Sequence, residues 1–153
     1  QVAAHQIATA ISNAKLFAEH AAQSAENRRL YENMRGIYHD TIRAFATAID
    51  AKDQYTKHHS FRVGQYAAAI AHELHWPDDD VEAIYVAGLL HDIGKLSLDG
   101  VLINKGDPLT PQEWYKVKRH AEVSYDIVMK IRLPWSEVPT YIRHHHERPD
   151  GRG

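Results

Sequence analysis

From Val2 to about Met34 the chain carries neither proline nor glycine and returns to alanine repeatedly. With nothing to break a helix, and with Ile7, Ile11, Ala14, Phe17, Ala21 and Ala25 at helical spacing, this stretch reads as one long helix. At 1.5 Å per residue it extends ~50 Å, farther than a single surface helix of a small domain can be covered. Lys15, Glu19, Gln23, Glu26, Asn27, Arg28 and Arg29 accumulate along it while the apolar face thins. Such a helix usually pairs with a copy of itself, and a homodimer through residues 2–34 is expected. Arg28 and Arg35 near the seam make the heptad irregular, which leaves open an ordinary helix packed on its own domain. Gly36 is read as a joint, with residues 1–36 as a connector and 37–153 as the domain it serves.

Beyond the joint, Ile37, Ile42, Phe45, Ala46 and Ile49 give one apolar face and predict a helix from about Tyr38 to Ala51. Val63, Tyr66, Ala67, Ile70, Ala71 and Leu74 form the next stripe, over 58–75, stopped by Trp76-Pro77. Asp78 to His91 repeats the pattern, with Asp78, Asp79 and Asp80 suited to its dipole-positive start. Leu96 to Pro108 has no sustained period and reads as a structured loop. Thr110-Pro111-Gln112-Glu113 is a helix start with the elements of a capping box. One or two helices then run to Pro134, and a last one from about Ser136 to His145, before a turn-rich tail. No stretch reads as a strand, so the expected fold class is all-α, a helical bundle preceded by a long helix.

Composition narrows the function. With 44% hydrophobic and 25% charged residues the chain can bury one real core. A formal net charge of −2 gives no bulk field favouring nucleic acid or an anionic membrane. The absence of cysteine excludes disulfides, thiolate nucleophiles and cysteine-type zinc sites. No run of ~18 apolar residues predicts a membrane span, and no secretory signal opens the chain. Twelve histidines are the anomaly.

Those histidines arrive with polar company on four helical segments. His59 lies near a helix start, His91-Asp92 at a helix end followed by Gly94 and Lys95, and His120 within a helical pattern. His144-His145-His146-Glu147 closes the last helix. Gly94 is read as the residue that ends the helix carrying His91. Taken singly, each histidine is more often a solvated or hydrogen-bonded core residue than a ligand. Together they are the ligand types that helical bundles use to build metal centres, and imidazole with carboxylate and no thiolate suits Fe, Mn or Zn.

The ordered motifs His59-Ser60-x-Arg62-Val63, Leu90-His91-Asp92-Ile93-Gly94-Lys95, Lys118-x-His120 and His145-His146-Glu147-Arg148-x-Asp150-Gly151-x-Gly153 resemble the HD-GYP subfamily of HD-domain phosphohydrolases. The resemblance covers roughly 37–153, including Asp53-x-Tyr55-Thr56 and Lys105-Gly106-x-x-Leu109-Thr110. It implies a cytoplasmic phosphodiesterase that hydrolyses cyclic di-GMP to pGpG or GMP in bacterial second-messenger signalling. The implied ligands are His59, His91, Asp92, His120, His145 and His146, holding two divalent metals. Fe or Mn is favoured, with Zn, Ni and Mg as alternatives. Tyr55 stands four residues before His59, where some family members place a glutamate that holds a third metal, so two are expected here. Asp92, the one carboxylate of the set, is the expected bridge. Lys95 is assigned to charge on the phosphoryl group, and Arg62 and Asp150 with it to substrate. For Arg62, an ion pair with a helix-end carboxylate is an equal reading.

Two further expectations follow from resemblance. Gln6 to Phe17 resembles the closing helix of GAF sensory domains, so the connector is expected to follow a sensor, and GGDEF-type or other signalling proteins are possible partners. Ala121 and Ser124 replace a proline and a glycine usual after the histidine at 120. The chain stops at Gly153, before the family's Tyr-Pro and a further aspartate ligand, so more of the domain is expected beyond it. The competing readings are a degenerate module acting by ligand or protein binding, and a mononuclear HD nucleotide phosphohydrolase. The second needs only the first histidine, the His-Asp pair and a distal aspartate, and leaves His120, His145 and His146 without a role.

Overall fold

The computed structural model describes residues 2–53 and 58–151, with the side chain of Ala8 excepted; Tyr55, Thr56 and Gly153 of the motifs above lie outside them. Among the described residues every regular element is helical. Helix α1 is Val2–Lys52. It passes through Gly36 without a break, where the sequence reading placed a joint. A glycine costs an exposed helix only ~1 kcal/mol relative to alanine, and no proline joins it to enforce a bend.

Two compact units divide the chain, residues 1–40 and 41–153. In the first, Ile7, Ile11, Phe17, Tyr31 and Met34 are all exposed. Local pairs decorate the helix: Arg29 donates to both oxygens of Glu26, at 2.8 and 2.9 Å, and Lys15 lies 3.8 Å from Glu19. Such exposed pairs contribute a few tenths of a kcal/mol each. No helix of the described residues is long and apolar enough to cross a membrane.

The second unit has a true core. Ile42, Ala46 and Ile49 from the last turns of α1 are buried, as are Val86, Leu89, Leu90, Val128, Val138 and Ile142. Helix α2, His59–Glu73, packs along α3, Asp78–Leu90. Their crossing is close because two glycines meet: a Cβ on Gly88 would stand 2.5 Å from the Gly64 Cα. α2 ends in a Schellman motif, with His75 at φ 58°, its N–H donating to His72 O and the Trp76 N–H to Ala71 O. Pro77 then prevents any continuation.

After α3 the chain tightens into a 3-10 turn, Ile93–Ser97, and then a short α4, Gly100–Ile103, where a loop was expected from Leu96 on. Lys52 Nζ donates to the carbonyls of Leu96 and Leu98, at 2.8 and 2.6 Å, and Asn104 Nδ2 donates to Lys52 O. These bonds satisfy backbone groups that no regular element would otherwise pair. Helix α5, Pro111–Lys118, opens on the expected capping box. Glu113 N–H donates to Thr110 Oγ1 and Thr110 N–H to the Glu113 carboxylate. The segment to Pro134 is two helices, since α6, His120–Val128, starts afresh after Arg119. α7, Val138–Arg143, packs on α3 and α6.

Gly94 does not terminate a helix, because α3 has already ended at Leu90. Its lack of a side chain serves contact instead. A Cβ there would collide with His120 O and stand 2.7 Å from Ser124 N. The Gly94 N–H donates to Ser124 Oγ at 2.8 Å, inside the core. This contact fixes the 3-10 turn against α6, and so fixes Asp92 relative to His120.

Candidate metal centre

Each histidine of interest sits where a helix begins or ends, and the backbone there orients its ring. His91 Nδ1 is 2.8 Å from Gly88 O, His120 Nδ1 2.6 Å from Val117 O, and His145 Nδ1 2.6 Å from Ile142 O. A carbonyl can only accept, so in each case Nδ1 carries the proton and Nε2 presents a bare lone pair. All three Nε2 atoms face one small volume.

Two groups of donors converge there. His59, His91 and Asp92 have ligand atoms within 4.8 Å of one another, and so do His120, His145 and His146. Asp92 links them through different oxygens. Its Oδ2 is 3.2 Å from His91 Nε2 and 3.9 Å from His59 Nε2, while its Oδ1 is 3.2 Å from His120 Nε2. Within the second group, His120 Nε2 is 3.1 Å from His145 Nε2 and 3.2 Å from His146 Nε2. His91, Asp92 and His120 are buried, at 7%, 5% and 3% exposure; His59 and His145 are half-buried and His146 is exposed.

Lone pairs 3.1 Å apart repel unless a positive charge lies between them, either a proton or a metal ion. Burial disfavours the proton. It pushes the His145 imidazole down to about 4, helped by His91, His146 and His120 and opposed by the bond to Ile142 O. Burial lowers His59 and His146 as well. A divalent ion fits the spacing: nitrogens each ~2.1 Å from one ion stand ~3.0–3.4 Å apart for coordination angles between 90° and tetrahedral. Burial alone would raise the Asp92 carboxyl, but protons donated from His120 and His91, for which an ion between them would stand in, and the Lys95 ammonium overcome it and hold Asp92 far below the usual carboxylate range. It is therefore an anion, as a ligand must be.

Lys95 Nζ is 2.9 Å from Asp92 Oδ2 and 3.5 Å from Asp53 Oδ2. Burial would lower its pKa, but its bond to Asp92 and the charges of Asp92 and Asp53 raise it, so the ammonium persists. Asp53 is itself buried, and its part in holding Lys95 was not read from the sequence. Asp50 was missed too: it accepts from Ser60 Oγ at 2.7 Å and from Ser60 N–H, anchoring the start of α2 beside His59. A carboxylate one α-helical turn before a polar break was the only available signal.

The remaining candidates fall elsewhere. Arg62 is exposed on α2, and neither it nor Asp150 belongs to either donor group. The Asp150 carboxylate accepts from Arg148, at 3.0 and 3.2 Å. His144 points its Nδ1 at Thr140 O and is exposed.

The family model described as HD domain matches residues 43–153. The chain is 38% identical over 112 residues to the 3'3'-cGAMP-specific phosphodiesterase 3 of Vibrio cholerae serotype O1, covering 73% of this chain and 24% of that protein. It is 37% identical over 105 residues to a cyclic di-GMP phosphodiesterase of Pseudomonas aeruginosa, covering 69% and 25%. A cyclic di-GMP phosphodiesterase of Thermotoga maritima is 34% identical over 103 residues, covering 67% and 28%. The chain thus spans about a quarter of the length of these relatives. The matched region begins in the last turns of α1 and takes in all six converging ligands, so by both its sequence and the elements that carry its metal-ligand types the chain belongs to the HD domain family.

Proposed function

We propose that residues 37–153 form an HD-GYP domain that hydrolyses cyclic dinucleotides, with cyclic di-GMP as substrate and pGpG or GMP as product. The observation carrying this reading is that Asp92 turns one oxygen toward the His59 and His91 pair and the other toward His120 of the histidine trio, as a carboxylate shared by two ions would. His59 and His91 would hold one ion, His120, His145 and His146 the other, and Asp92 both; Fe or Mn suits this thiolate-free set. Ions in such a pair supply Lewis-acid activation of water and charge for the non-bridging phosphate oxygens. The chain's own residues do the rest. The carbonyls behind each Nδ1 keep the rings aimed, Asp53 and Asp92 hold the Lys95 ammonium, and that ammonium offsets charge gathering on the phosphoryl group. Names of relatives support the substrate class, since both cyclic di-GMP and 3'3'-cGAMP are cyclic dinucleotides.

In this proposal residues 1–36 are a GAF-linked connector that pairs two chains, the protein works in the cytoplasm, and GGDEF-type proteins are among its partners. The exposed Ile7, Ile11 and Phe17 support the pairing. Deleting 2–34 should then shift the mass in solution from dimer to monomer. The enzymatic reading is tested by elemental analysis alongside hydrolysis of cyclic di-GMP, with 3'3'-cGAMP as competitor. About two Fe or Mn per chain and metal-dependent cleavage are expected; cleavage by metal-free protein would refute it.

A further inference from the structure

A cavity of about 740 Å³ opens beside the His120 and His146 imidazoles. Its size is that of a small-molecule site. One wall is α5, a helix that buries none of its residues and is held by its capping box and by the Lys105–Glu113 pair at 2.7 Å. Trp114 projects from it, 52% exposed, onto the cavity. An indole left in water at the mouth of a polar site, on a helix with no buried face, contributes nothing to the core. Lys118, one turn on, has its Nζ 5.8 Å from the Trp114 ring centroid. Arg143 lines the same cavity, its guanidinium carbon 5.2 Å from the Tyr125 ring centroid, a contact that restrains the side chain. Four cations, Lys95, Lys118, Arg119 and Arg143, line the cavity against the two carboxylates of Glu122 and Glu147.

Aromatic face, surplus positive charge and a neighbouring ligand set together describe a site for a flat, anionic molecule with a hydrolysable diester. We propose that Trp114 is the stacking platform for one nucleobase of the cyclic dinucleotide, and that Lys118 and Arg143 hold the phosphodiester not being cleaved. The inference rests on the substrate class proposed above and adds the residues that select it. Stacking on an aromatic side chain accepts any base, because every base offers a π face. The same platform therefore serves cyclic di-GMP and 3'3'-cGAMP.

Titration of the full chain with cyclic di-GMP, followed by tryptophan fluorescence and calorimetry, tests the platform. Wild type should bind with quenching. Trp114→Ala should weaken binding at least about tenfold, while Trp114→Phe keeps the affinity within ~3-fold and loses the quenching, since a phenyl ring still stacks. Lys118→Gln and Arg143→Gln should each weaken binding ~3- to 10-fold and flatten its dependence on salt. Unchanged affinity in Trp114→Ala, or no binding by wild type, overturns the proposal. Trp114-dependent binding by a metal-loaded protein carrying the complete domain that cleaves nothing supports the platform and refutes the phosphodiesterase reading, so the two fail separately.

Discussion

Gly36 and Gly88 both sit inside helices, yet a Cβ at Gly36 would meet nothing within 4 Å, whereas one at Gly88 would stand 2.5 Å from the Gly64 Cα. The contrast holds for the units they belong to. In the first forty residues helicity is a matter of local propensity, and most side chains answer only to neighbours one turn away. In the second unit residues answer to other elements, and the same amino acid that is permissive at 36 is obligatory at 88. A metal centre can be built only where positions are fixed in this second way, because ligand atoms must hold their spacing against the repulsion of their own lone pairs.

The sharpest way to break that arrangement is at its hub. Asp92→Ala removes the carboxylate that both donor groups share. Loss of a residue that merely supports a ligand costs ~10–100-fold, so loss of the bridge should exceed ~100-fold in cyclic di-GMP hydrolysis and lower the metal content of the isolated protein. Full activity in this variant would show that hydrolysis does not depend on the carboxylate between the two donor groups. Lys95→Ala should act less severely. It removes the ammonium 2.9 Å from Asp92 while leaving every ligand in place, so metal content should hold while turnover falls ~10- to 100-fold. Equal loss of metal would make Lys95 a structural prop of Asp92.

The two glycines give the direct test of the comparison. Gly88→Ala forces a methyl group against the α2 backbone and should destabilise the second unit by about 2–3 kcal/mol in denaturant unfolding. Gly36→Ala meets no obstacle, improves helix propensity and should stabilise α1 by up to ~1 kcal/mol. Like effects at both positions would mean that the local environments do not differ as described.

What the sequence made legible follows the same division. Periodicity located α2 and α3 as helices but misjudged the face that α2 buries: Ser60, Gly64 and Ala71 are inside, because the close glycine crossing turns that side to α3, whereas Tyr66, Ile70 and Leu74 of the apolar stripe are exposed. The Thr110 capping box was readable because its reach is only three residues. The six candidate ligands were found through their company in motifs, not through their spacing, because convergence of four helical segments is not written in any one of them. What escaped were contacts between elements. Gly94 was assigned to a helix end, when its role is to let the 3-10 turn touch His120 and Ser124. Asp53 and Asp50 looked like ordinary polar residues near a turn until Lys95 and Ser60 were placed against them. Gly36 does not interrupt α1, since a glycine breaks a helix only where packing or a neighbouring proline makes use of it, although the chain does divide into two units a few residues on, after residue 40.

The smallest expected effect lies at the start of α5, a helix of the second unit that buries none of its residues and, like the first forty residues, leans on local bonds. Thr110→Ala deletes the N-cap acceptor for Glu113 N–H and should cost about 1 kcal/mol. Glu113 adds a pH signature. The Lys105 ammonium, with bonds from Thr110, holds its carboxyl down at about 2 against an ordinary 4.5. A depressed carboxyl contributes stability that is complete above about 4.5 and is lost as pH falls through about 2, because the unfolded chain takes up the proton first. Amide exchange of α5 measured across this window should therefore quicken on acidification in wild type more than in Glu113→Gln, which has no charge to lose. If both respond alike, α5 is held by its cavity-facing residues and not by its cap, and the helix belongs with the packed part of the unit after all.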